Sequence, residues 1–103
     1  MKVSDARITE RSGSVFRHLG FTSAEARNLQ LRSQMMTALR KYIADRGLTQ
    51  AEAARILHVS QPRVSDLVQG KVSQFSMDTL VNMLAETGSQ IDFRIKMPPR
   101  RVA

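Results

Sequence analysis

The chain contains no cysteine, which excludes a disulfide framework and thiolate zinc sites. No apolar run reaches the length of a membrane span or a signal-peptide core, so a soluble, non-exported, cytoplasmic protein is expected. His18 and His58 are the only histidines. No nucleophile–base–orienter set, metal-ligand spacing or phosphate loop accompanies them. The expectation is therefore a protein that is not an enzyme and has no catalytic residues, metal or cofactor. Acidic residues are also scarce: nine, against sixteen lysines and arginines, give a net charge of +7 and a pI near 11.1. That balance favours an anionic partner such as nucleic acid. The length, 103 residues, suits one small domain, and 42% hydrophobic residues suffice for a single core.

The charge is uneven. Residues 1–48 carry net +5, residues 49–89 net −1, and residues 90–103 net +3. Residues 1–13 have few apolar side chains and no steady period, as expected of a flexible arm. Residues 14–21, SVFRHLGF, fit one helical turn with Ser14 as cap and Gly20 as stop. Thr22 and Glu25 form a capping-box pattern that opens a long helix to about Arg46. Met35, Met36, Leu39, Tyr42 and Ile43 make its apolar stripe, and Gly47 follows as the stop. Thr49 and Glu52 form a second box, whose helix turns Ala53 or Ala54, Ile56 and Leu57 inward. His58 and Val59 make a turn, and Ser60 caps the next helix, with Pro62 in its first turn. Its inward stripe is Val64, Leu67 and Val68, and Gly70 closes it. Ser76 caps a helix through about Thr87 with Leu80, Val81 and Leu84 inward, and Gly88 ends it. From Gln90 to Met97 the period changes to two: Ile91, Phe93, Ile95 and Met97 alternate with Asp92, Arg94 and Lys96, as in a strand. Pro98 and Pro99 end it, leaving residues 98–103 as a basic tail.

The expected fold is mainly α: a compact bundle of about five helices with one C-terminal β-strand. Residues 14–97 form the domain. Thr49 and Ser60 start two helices eleven residues apart, joined by a three-residue turn, which is the pattern of a helix-turn-helix. In that unit the first helix braces and the second presents its N-terminal half to the major groove. With Val64, Leu67 and Val68 inward, Gln61, Pro62, Arg63, Ser65, Asp66 and Gln69 remain at or near the surface. Arginine forks onto guanine, glutamine pairs with adenine, and aspartate accepts from cytosine. A small residue at the helix crossing, Ala54, permits the close approach, with Val59 and Val64 wedging the corner.

The run TQAEAARILHVSQPRVSDLVQGK resembles the helix-turn-helix of the XRE/Cro–repressor superfamily. That pattern begins Thr-Gln, carries alanine in its first helix and Ser-Gln at the start of its second, and ends Gly-Lys. SGSVFRHLGF, the long helix, this motif and VSQFSMDTLVNMLAETGSQIDFRI together resemble HigA-type antitoxins, over about residues 12–95. The resemblance implies a sequence-specific repressor, nucleoid-associated, that acts as a type II antitoxin and autoregulates its operon. A stand-alone XRE-type regulator and a toxin-neutralising module without specific DNA recognition are the alternatives. By resemblance Gln50 bonds phosphate, with Thr49 and Ser60 at the adjoining helix starts. Gln61 and Asp66 fall at base-reading positions, Arg63 reaches phosphate or a nearby base, and Lys71 and Ser73 touch backbone. Two departures stand out: His58 occupies a turn position that is often glycine, and Pro62 replaces a longer reading side chain.

A lone strand cannot satisfy its own backbone. The N-terminal arm, the same strand of a second copy, or another protein can pair with it. A homodimer through Ile91, Phe93 and Ile95 is the favoured expectation, with two recognition helices on a palindromic double-stranded operator. The antitoxin resemblance adds a RelE/HigB-like toxin, with Val15, Phe16, Leu19 and Phe21 as its contact, and no membrane.

Overall fold

Helix boundaries follow from side chains three residues apart. In a computed structural model that describes residues 19–100, Thr22 accepts the Glu25 N–H at 3.1 Å, and the Glu25 carboxylate accepts the Thr22 N–H at 2.9 Å. Helix α1 (Ser23–Asp45) starts there. The same reciprocal box between Thr49 and Glu52, at 2.8 and 3.1 Å, opens α2 (Gln50–Leu57). Ser60 caps α3 (Gln61–Val68) and Ser76 caps α4 (Met77–Glu86), each accepting the N–H three residues on. Each box or cap satisfies N–H groups that have no partner inside the helix. Gly47 stands at φ 59° just after α1, a left-handed conformation that lets Leu48 bond back to the Ile43 carbonyl.

Met36, Leu39 and Ile43 of α1 pack with Ala53 and Leu57, Val64 and Leu67, and Leu80, Met83 and Leu84 of the other helices. Phe75, which follows a 3-10 turn at Val72–Gln74, completes this core. α1 lies along α4, while α2 packs chiefly on α3. Each fully buried leucine contributes about 1.5–3 kcal/mol relative to exposure. No helix among the described residues is long and apolar enough to cross a membrane.

Several expectations are corrected. The described residues form four α-helices and one 3-10 turn rather than five helices, and they contain no strand. The helix expected at residues 14–21 lies largely outside the described residues, as do the arm at 1–13 and the end of the tail. Residues 89–100 have no regular secondary structure, because a strand exists only through a ladder and no segment of this chain supplies one among the described residues. Val68 is 38% exposed and Val81 37% exposed. Each sits at the edge of its stripe, where the neighbouring helices do not reach, and Met83 takes the inward place on α4. Of the two alanines offered for the inward face of α2, Ala53 is fully buried and Ala54 is partly covered against the core.

Candidate nucleic-acid interface

The break between α2 and α3 is built at His58, the C-cap of α2. Its backbone is left-handed, φ 56° and ψ 43°, and it is the only non-glycine with positive φ among the described residues. The His58 and Val59 N–H groups both bond back to the Ala54 carbonyl. This closes α2 and turns the chain outward in three residues. The imidazole Nε2 lies 3.3 Å from the Glu86 carboxylate at the end of α4. Histidine thus holds a left-handed backbone that glycine would adopt more readily, and one surface contact accompanies it.

α3 is anchored by Val64 and Leu67, both fully buried. Gln61, Pro62 and Gln69 are exposed, and Ser65 and Asp66 are half-buried. Together they form the outward side of the helix. Gln69 donates to the Ser65 hydroxyl at 3.0 Å, which braces two of these polar groups against each other. Lys71 Nζ lies 3.4 Å from the Asp66 carboxylate, so the one acid on this surface is partly balanced by the adjacent cation. Thr49 and Gln50 are exposed at the start of α2, and Lys71 and Ser73 are exposed beyond α3. Every residue singled out for this surface is accessible at least in part.

Arg63 differs from the others. It sits on the flank of α3 and turns away from the outward side. Its guanidinium donates to the Gln74 carbonyl at 2.9 Å and lies 4.5 Å over the Phe75 ring. From the opposite direction, Arg32 of α1 donates to the Val72 and Phe75 carbonyls at 3.2 and 2.9 Å. Asn28 accepts from Arg32 Nε at 2.7 Å and fixes that side chain in turn. Two guanidinium groups thus hold the loop that carries Ser73 next to α3. The sequence offers no signal for Arg32, because its partners are backbone carbonyls forty or more residues away.

Leu19 and Phe21 are exposed and line an apolar hollow of about 540 Å3 with Leu29 and Val72. Val15 and Phe16, expected to act with them, lie outside the described residues. Ile91 is 40% exposed, while Phe93 and Ile95 are almost free of cover. Among the described residues no group of three or more histidine or acidic side chains is placed to hold a metal ion.

A family model for a helix-turn-helix domain matches residues 15–96, most of the chain. No curated protein matches it.

Proposed function

Because the chain belongs to a helix-turn-helix domain family, a DNA-binding fold, we propose that it is a sequence-specific transcriptional repressor whose α3 enters the major groove. The observation that carries this reading is the side of α3 bearing Gln61, Ser65, Asp66 and Gln69, held outward by the buried Val64 and Leu67. Gln61 pairs with adenine, and Asp66 accepts from the exocyclic amine of cytosine. Lys71 exchanges its carboxylate partner for phosphate, and Gln50 and Ser73 add phosphate contacts that set register. Pro62 adds apolar contact but no donor. Arg63 acts here by holding the loop, not by reading bases. Two copies bind a palindromic operator, with half-sites about 34 Å apart or at a related spacing.

The repressor acts as an antitoxin in the second part of this proposal. The hollow beside Leu19 and Phe21 supports it as an apolar seat for a small RelE/HigB-like toxin. Toxins of that kind are commonly basic, and a chain of net charge +7 does not attract them by overall charge. Apolar contact at this hollow is therefore the expected means of capture. Co-purification of the chain with a toxin, abolished by Leu19→Asp, tests this part.

DNA selected from a random pool by the purified chain tests the first part. A consensus should emerge. Gln61→Ala should then lose about 1–3 kcal/mol of discrimination at one base pair. Lys71→Ala should weaken binding to all sequences alike and lower the salt slope by about one. A pool that yields no preferred sequence, with a slope untouched by Lys71→Ala, would remove α3 from the DNA.

A further inference from the structure

The lysines and arginines on the four helices have partners, with one exception. Arg27 donates to Gln30, Arg32 and Arg63 hold the loop after α3, Lys41 pairs with Asp45, and Arg55 acts on the Glu52 carboxylate. Arg40, towards the end of α1, is exposed and makes no hydrogen bond, ion pair or ring contact among the described residues. Its guanidinium nevertheless has a definite place. A methyl group built on Gly70 would stand 3.6 Å from Arg40 Nη1, so the side chain reaches from α1 to the point where the backbone leaves α3. Gly70 follows the C-cap Gln69 with φ 75°, and the next residue, Lys71, is exposed. Two cations from separate parts of the chain therefore flank the C-terminal end of α3.

That end is where a duplex would present phosphate. α3 has eight residues, about 12 Å at about 1.5 Å each, and the major groove is about 12 Å wide. With its N-terminal half among the bases, a helix of this length has its C-terminal end at the rim of the groove, along a sugar–phosphate strand. The planar fork of arginine matches two phosphate oxygens at once. Arg40 gives up no partner on meeting them, whereas Lys71 must leave the Asp66 carboxylate, 3.4 Å away.

We infer that Arg40 is a DNA-backbone contact contributed by α1: its guanidinium binds a phosphate at the rim of the groove that α3 enters, beside the one taken by Lys71. The inference deepens the proposed function and rests on its premise that α3 lies in the major groove. It adds a contact from the helix that precedes the helix-turn-helix unit. Phosphate contacts carry no sequence information of their own, so loss of this one should weaken binding to every sequence alike.

Salt-dependent binding of the full chain, to the duplex it selects and to a duplex of unrelated sequence, tests it. Arg40→Ala should lower the slope of log K against log salt by about one on both. At about −0.9 per phosphate, raising the salt fourfold should cost the parent about three to four times more affinity than the variant. The base preference at the position read by Gln61 should not change. Arg40→Lys should keep the slope, since it keeps the charge. Lys41→Ala, one residue along α1 and engaged with Asp45, removes the same charge and should leave the slope as it is. A cation beside the C-terminal end of a helix also steadies that helix. If that were its whole role, Arg40→Ala would melt at a lower temperature with the slope of the parent, and the inference would be overturned. Equal falls in slope for Arg40→Ala and Lys41→Ala would overturn it as well, by showing an effect of net charge. Selective binding by the parent with a slope indifferent to Arg40→Ala would sink the inference alone. A parent that prefers no sequence would sink the repressor reading, and a slope that still fell with Arg40→Ala would leave the backbone contact standing.

Discussion

Arg63→Ala should destabilise the fold, although the helical wheel alone places Arg63 among solvent-facing residues whose loss is harmless. The side chain makes one charge-assisted hydrogen bond, to the Gln74 carbonyl at 2.9 Å. For a half-exposed site the lower part of the range for such bonds applies, about 1.5 kcal/mol. Its guanidinium also lies 4.5 Å over the Phe75 ring, and a stack of this kind contributes about 0.5–1 kcal/mol. Phe75 is among the most buried side chains of the core, so removing the guanidinium opens that ring to water. The expected loss is about 2 kcal/mol, or a Tm lower by roughly 8–16 °C for a domain of this size. Urea unfolding should show a lower midpoint with an unchanged slope. Gln61→Ala, exposed and outside the core, should stay within about 0.5 kcal/mol of the parent. Equal stability of the two variants would refute the argument and return Arg63 to the surface that is free to meet DNA.

His58→Val should cost about 1–2 kcal/mol in thermal unfolding, since a β-branched residue must then hold the left-handed backbone at the α2–α3 break; parent-like stability would show that the turn rearranges freely. The capping carboxylates predict an acid dependence. Glu25 and Glu52 are held below the usual value of 4.5, chiefly because each accepts the backbone N–H of its cap, Thr22 or Thr49, and secondarily through the cap hydroxyl. With the folded-state value depressed, this stabilisation is complete above the unfolded value and fades as the pH falls through the lower folded value. Glu52→Gln should flatten that part of the stability curve below about pH 4.5, and an unaltered acid limb would refute it.

The helix starts were legible because capping is a local event. Thr22 with Glu25, Thr49 with Glu52, Ser60 and Ser76 each act across three residues, and each cap stands where the pattern put it. The centres of the apolar stripes, Leu39, Leu57, Leu67 and Leu80, were legible for the same reason: periodicity fixes the middle of a face. Their edges were not. Whether Val68 or Val81 is covered depends on how far a neighbouring helix extends, and no local pattern carries that. Long side chains escape the wheel in another way. Arg63 begins on the flank of α3 and ends on a carbonyl eleven residues on, and Arg32 bridges forty or more. The strand signal failed differently, because alternation describes one edge of a ladder and the described residues supply no other edge.

Ala53 has the widest reach of the small features. It is fully buried on the helix that packs against α3, at a density where even one added methylene is felt. A larger residue there would push α2 off the core, and α3, which packs on α2, would move with it and carry Gln61, Ser65, Asp66 and Gln69 by a common displacement. The spacing among those side chains would survive, but their depth would change together. Variation on the outer side of α3 can therefore alter what is recognised one position at a time, whereas variation at Ala53 alters whether the helix reaches its target at all.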